Sequence, residues 1–252
     1  QSRYNDVAMK LRLPNTKPIR LLFYKLRKTA SLLLVFFLVS SIGLCLLMRW
    51  LPPPTSMFML FRHYEDLIGN SSFKTIRYRW VNAKNMSPYA AAAVMAAEDQ
   101  RFPEHFGFDI DSIQSSIDVY KDGGKLRGAS TISQQVAKNL FLTPSKSFLR
   151  KGIEVWFTLL IETFWSKERI LEVYLNIAEF GDHLFGIEAA SQRYFGIPAR
   201  SINRPQAALL AATLPNPHRL QATRPSAYLL RRQRWILRQM ANLGEPKVNI
   251  AE

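Results

Sequence analysis

Thr29 to Met48 reads TASLLLVFFLVSSIGLCLLM, 20 residues without a charge. At the helical rise per residue such a run spans about 30 Å, the thickness of a bilayer's hydrocarbon core. Lys25, Arg27 and Lys28 precede it, and Arg49 and Trp50 follow. That arrangement predicts a single-pass helix with a cytoplasmic N-terminus and Trp50 at the far interface. A cleaved signal peptide fits poorly. The apolar run is too long, and Leu51-Pro52-Pro53-Pro54 stands where a small-residue cleavage site would be.

The charge follows the same division. Residues 1–28 hold eight Lys or Arg against Asp6 alone, a net +7, and residues 29–48 hold none, leaving +8 of the total +15 for residues 49–252. A basic tail beside an apolar segment points to an anionic membrane surface. No basic helix interleaved with aromatics and no zinc-ligand spacing follows, so nucleic acid is not an expected partner. The single cysteine, Cys45, lies inside the apolar run, so neither a disulfide within the chain nor a thiolate metal site is expected.

Past the anchor, Pro52-Pro53-Pro54 predicts a stiff spacer. Thr55 to Phe61 is apolar but too short to span. It fits either a core segment or one that dips into the outer leaflet, and the second is favoured because a membrane-bound substrate would need such a surface. Phe73 to Val81 alternates enough for a short strand. Helical patterns then dominate. One helix starts at Pro88 and delivers Glu98 at its C-terminal end. Others are expected at Asp109 to Tyr120, from a Ser130 cap to Phe141, at Lys146 to Trp165, at Lys167 to Asn176, at Ile187 to Phe195, at Pro205 to Leu214 and at Ala227 to Leu243. The expected divisions are a basic tail (1–28), a membrane helix (29–48), a Pro-rich spacer (49–54), one mainly α folded domain (55–244) and a C-terminal tail (245–252).

Within that domain two carboxylates bracket a run of hydroxyls, amides and cations. Glu98 follows an apolar run with Asp99 beside it; burial and a neighbouring carboxylate both raise a carboxyl pKa towards general-base range. Thr131, Gln135 and Lys138 fall on one helical face, a donor-rich surface suited to sugar or phosphate. Arg150, Lys151 and Glu154 share one side of an otherwise apolar helix, where a charged cluster needs a reason. His105 reads more naturally as a structural hydrogen-bonder than as a catalyst.

Five ordered patterns carry a resemblance. Glu98, Asp99, Phe102, His105 and Gly107 form the first; Gly128, Ser130, Thr131, Ile132, Gln134, Gln135, Lys138 and Asn139 the second; Arg150, Lys151 and Glu154 the third. Lys167, Ile170, Leu171, Glu172, Tyr174, Leu175 and Asn176 make the fourth, and Ala189, Ala190, Tyr194, Phe195 and Gly196 the fifth. Over roughly residues 55–240 the chain resembles the peptidoglycan glycosyltransferases of family 51, found alone or as the first domain of class A penicillin-binding proteins. Two departures are Ile197, where a basic residue often follows, and Gln206, where a Glu is usual.

The resemblance implies a lysozyme-like bilobal domain behind the membrane helix. It implies polymerisation of lipid II into linear glycan strands by β-1,4 transfer with inversion, releasing undecaprenyl pyrophosphate. Glu98 would be the base and Glu154 the second catalytic carboxylate, positioning cations or holding a divalent ion such as Mg²⁺; no cofactor is otherwise implied. Lys138, Arg150 and Lys151 would stabilise the leaving pyrophosphate. Asp99, Phe102, His105, Ser130, Thr131, Gln135, Asn139 and Tyr174 complete the expected substrate-binding set. The expected partners are lipid II, the growing strand and the membrane, with other cell-wall synthesis proteins as candidates. The expected place is the bacterial inner membrane, with the catalytic domain periplasmic. Ser71-Ser72-Phe73-Lys74 matches S-x-x-K but has no KTG companion, so no transpeptidase activity is expected. The rivals are a membrane-anchored lysozyme-like lytic enzyme, which needs an acid at a sugar leaving group, and a non-catalytic scaffold.

Overall fold

The computed structural model describes residues 17–69, 73–124, 130–145 and 147–244; the tail expectations at 1–16 and 245–252, and Gly128 of the second pattern, fall outside them. The chain separates into two compact units, residues 1–44 and 45–252. The first is described from Lys17 and is one helix, α1 (Lys17–Met48), which continues into the second unit. Its apolar side chains, such as Leu33 and Phe36, are exposed. From Arg20 to Met48 it is long and apolar enough to cross a membrane. The helix begins ahead of the uncharged run because nothing in Lys17–Lys28 after Pro18 breaks it.

In the second unit the end of α1 is fastened rather than free. Trp165 Nε1 donates to Cys45 O at 2.8 Å, and Arg169 Nη2 donates to Met48 O at 2.8 Å and Leu51 O at 2.7 Å. Tyr78 Oη donates to Pro53 O at 2.7 Å. The three prolines are thus pinned at Pro53, where a plain spacer was expected. The apolar stretch after them becomes helix α2 (Met57–Ile68), capped by Ser56, with Met59 buried and Leu60, Leu67 and Ile68 exposed.

Helix α3 (Pro88–Glu98) starts as expected, with Ser87 as N-cap and Pro88 in its first turn. Ala90, Ala91, Ala93 and Ala96 are buried, as are Ala207, Ala208, Ala211 and Ala212 of α9 (Arg204–Thr213), against which α3 packs. Small side chains on both helices allow close approach of the backbones. Helix α10 (Ala227–Leu243) packs on both. Helix α5 (Ile132–Phe141) packs on α6 (Phe148–Phe164) and α7 (Lys167–Ile177). Helices α4 (Ile110–Lys121) and α8 (Ile187–Phe195) complete the ten helices among the described residues.

The expected strand at 73–81 shrinks to β1 (Arg77–Tyr78), because the backbone beyond it bonds a side chain instead of a neighbour strand. Asn176, buried on α7, accepts from Val81 N and donates to Val81 O, both at 2.9 Å. The sheet also contains β2 (Glu179–Gly181) and β3 (Leu184–Phe185), in the order β1-β3-β2, with β1 parallel and β2 antiparallel to β3. Those two strands are too short to show a periodicity in sequence.

Gly186 joins β3 to α8 at φ +84°, and a Cβ there would lie 2.6 Å from Asn176 O. Both the left-handed backbone and the backbone clash penalise any side chain. Gly186→Ala is therefore expected to destabilise by about 2–4 kcal/mol, measured as a fall in the thermal unfolding midpoint of detergent-solubilised protein.

The two departures from the family patterns have local partners. Gln206 Oε1 accepts from Asn203 N at 2.9 Å and closes a capping box, which an amide does as well as a carboxylate. Ile197 contributes its carbonyl, which accepts from Ser191 Oγ at 2.6 Å.

Candidate active site

The buried alanine run carries Glu98 inward at the end of α3. Gln135 Nε2 of α5 donates to Glu98 Oε2 at 3.1 Å, and Arg232 Nη2 of α10 donates to Oε1 at 3.3 Å. Burial pushes the carboxyl above its usual range, opposed by the bond from Gln135 and by the charges of Arg232 and Lys138. This is a carboxylate poised to take a proton.

Asp99, next to Glu98 in sequence, takes partners of its own. The chain turns at the helix end, and Asp99 accepts from Ile132 N at 2.9 Å and pairs with His105 Nε2 at 2.9 Å. It braces the loop after α3 against the start of α5. Arg232 was missed: it lies 134 residues from Glu98 in sequence, on a helix distinguished only by its many arginines. Its charge holds the Glu98 pKa down, so Arg232→Gln is expected to move the acid limb of the activity–pH profile to higher pH, read from initial rates between acid and neutral pH.

Three further members of the expected binding set, Phe102, His105 and Thr131, are also engaged by protein partners. Phe102 is fully buried, with Lys167 Nζ 4.5 Å above its ring, and offers no face to a sugar. His105, bonded to Asp99, receives a bond on its carbonyl from Lys167 Nζ at 2.6 Å. Lys167 also pairs with Glu162 at 2.8 Å, and Ser133 Oγ donates to the same carboxylate, a buried acid that sequence reading passed over. Thr131, not Ser130, caps α5, one residue later than expected, because Gln134 closes a capping box onto it. Its hydroxyl donates to Gly107 O at 2.7 Å, and the residue also lines the cavity that holds Glu98, as Asp99 does.

Gln135 and Lys138 remain on the α5 face. Tyr174, also buried, donates to Gln135 Oε1 at 3.2 Å and thereby fixes the amide that holds Glu98. Ser130 is exposed and lines a cavity of about 540 Å³ with Glu98, Ser112, Ser116 and Trp235. On the other side of Gln135, a smaller cavity of about 190 Å³ is lined by Lys138, Asn139, Tyr174 and Glu179.

Next to this stands the third-pattern cluster. Glu154 is buried, and its oxygens take Arg150 Nη1 at 2.6 Å and Lys151 Nζ. Both anionic oxygens are thus already held by cations, and among the described residues no group of three or more His, Cys, Asp or Glu gathers here. The donor set fits a counter-ion for two bases; a divalent ion would have to displace one of them. Arg150 Nε and Asn139 Oδ1 are buried without hydrogen-bond partners among the described residues, capacity a ligand could use.

Lys138 joins the two halves. No carboxylate among the described residues pairs with it, and its ammonium sits 5.5 Å from the Phe58 ring centre. Burial lowers its pKa; Glu154 and Glu98 oppose that, while Arg150 and Lys151 reinforce it. It therefore lies within electrostatic reach of the base on one side and the bound cations on the other.

A buried carboxylate at one end and a cluster of cations at the other are compatible with transfer of a sugar from a charged leaving group, and the chain falls in the glycosyltransferase class of enzymes. The transglycosylase family model matches residues 65–241. A biosynthetic peptidoglycan transglycosylase of Pseudomonas fluorescens is 49% identical over 226 residues, 90% of this chain and 92% of the relative. Proteins of the same name from Ectopseudomonas mendocina and Pasteurella multocida are each 51% identical, over 212 and 221 residues (84% and 88% of this chain, 87% and 88% of the relatives). The chain belongs to the transglycosylase family.

Proposed function

We propose that the protein polymerises lipid II into linear β-1,4 glycan strands, with Glu98 as the base. The observation that carries this reading is the position of Lys138 between the raised-pKa carboxylate and the Arg150–Lys151–Glu154 cluster. Glu98 removes the proton from the acceptor's 4-hydroxyl as that oxygen attacks C1 of the donor sugar. The C1–O bond to the pyrophosphate breaks from the opposite face, so an α-linked donor becomes a β linkage. Negative charge grows on the departing pyrophosphate, where fixed cations in a dry site stabilise the transition state more than the ground state. Arg150 supplies a planar fork suited to phosphate oxygens. Glu154 holds Arg150 and Lys151 in place, and Gln135 aims Glu98. Ser130 and Asn139 provide hydroxyl and amide contacts to sugar and phosphate.

A hydrolase would need a carboxylic acid at a poor sugar leaving group; the cations at Lys138 and Arg150 fit pyrophosphate better. The apolar helix α1 serves as a single-pass anchor in the inner membrane, its basic end cytoplasmic and the domain periplasmic. Exposed Leu60, Leu67 and Ile68 of α2 meet the outer leaflet, where a lipid-linked substrate resides. The reading is tested by following one turnover set with labelled lipid II. Release of undecaprenyl pyrophosphate in step with new β linkages supports it, and retained α configuration at C1 refutes the direct displacement.

A further inference from the structure

A third cavity, of about 490 Å³, lies between β1, the β2–β3 turn, the end of α8 and the segment after α9. Pro217 and His218 line both it and the cavity of Lys138 and Asn139, so the two adjoin. Gly181 is part of its wall. A Cβ there would strike the Tyr194 hydroxyl, which donates to Phe180 O at 3.1 Å, so the absence of a side chain is what lets the tyrosine lie flat along β2.

The cavity's charges are unbalanced. Its one acid, Asp182, is already held by Lys74 at 2.6 Å and by His183 Nδ1 at 2.8 Å. Arg77 and Arg193 also line the cavity, and neither guanidinium has a hydrogen bond or ion pair among the described residues. The Arg77 backbone is fixed by a bond from its N–H to His183 O at 2.8 Å, so its side chain starts from a rigid strand. Two unpartnered guanidinium forks beside a neutralised acid make a site for a planar anion. Phosphate on a lipid is the poorer candidate: the pyrophosphate already has its own cations, and a lining that includes Lys74, Asp182, His183, His218, Gln221 and Thr223 offers nothing to a polyprenyl chain.

We infer that this cavity binds carboxylates of the stem peptides on the nascent glycan as the strand leaves the catalytic cleft. The inference rests on the polymerase reading for the source of the carboxylate. It links the cavity to strand retention: a strand held here stays on the enzyme between transfers.

Two measurements on the detergent-solubilised full chain test it, comparing wild type with the exposed double variant Arg77→Ala/Arg193→Ala. In the first, free stem peptide and its fully amidated form are titrated by calorimetry, independently of catalysis. Wild type is expected to bind the carboxylate form roughly tenfold more tightly than the amidated form, and the variant to bind both alike. Equal binding of both forms by wild type would overturn the inference. In the second, glycan length is read on gels from lipid II with native or amidated stems. Shortened strands from the variant on native substrate, matched by wild type on amidated substrate and partly restored by Arg77→Lys/Arg193→Lys, support it. Wild-type strand lengths from the alanine variant on native substrate refute it. Absence of any polymer from wild type refutes the polymerase reading instead, and the titration still decides the cavity.

Discussion

Glu98→Gln is expected to lower the polymerisation rate by about 10²–10⁴-fold, the usual contribution of a positioned base, measured as initial consumption of labelled lipid II. The same variant should be more thermally stable than wild type at neutral pH. The sign follows from burial. The folded-state pKa of Glu98 is raised above its unfolded value, chiefly by desolvation, so wild type loses stability as pH rises through that folded pKa. Glutamine mimics the protonated form and escapes the loss, while its carbonyl still accepts from Gln135. The two unfolding midpoints should therefore converge below the ordinary carboxylate range and separate towards neutral pH. A catalytic group kept at the expense of stability gives this joint pattern, whereas a purely structural acid would lose stability on substitution.

Lys138→Met is expected to reduce kcat by about 10²–10³-fold with a smaller change in KM, since the lost charge acts mainly on the departing pyrophosphate. Methionine keeps the unbranched apolar stem beside Phe58 and removes only the ammonium. The loss should exceed that of Lys151→Met. Lys151 is half-exposed and already neutralises Glu154, whereas Lys138 is largely buried and pairs directly with no carboxylate among the described residues. A rise in KM at constant kcat would mean that Lys138 merely holds the ground-state substrate. Steady-state kinetics over a lipid II titration separates the two.

The parts of this site that were legible in sequence are those set by local spacing. Pro88 announces the start of α3 and so places Glu98 at its end, and the i,i+3 and i,i+4 relations of Lys151 and Arg150 to Glu154 fix that cluster on one helix. What escaped depends on which helices meet. Arg232 reaches Glu98 only because α10 packs on α3, and nothing within α10 marks that arginine among its neighbours. Glu162 looks like one more acid in an apolar helix until Lys167 and Ser133 close on it. Phe102 entered the expected binding set only through the resemblance, and its ring is fully buried. Asp99 is adjacent to Glu98 in sequence, and the end of the helix directs the two carboxylates to different partners.

The bonds from Trp165 and Arg169 to carbonyls at the end of α1 tie the last turn of the apolar helix to the helix that follows the third-pattern cluster. The base, the cations and the membrane-proximal segment thus belong to one connected frame within residues 45–252.

The most direct test of the polymerase reading is product length. Detergent-solubilised wild-type protein is incubated in parallel with labelled lipid II and with preformed glycan strands, and both are resolved by gel. Conversion of lipid II to long glycan, with the preformed strands left intact, is the expected result. Shortening of the preformed strands, with lipid II unpolymerised, would contradict it and make the protein a lytic enzyme.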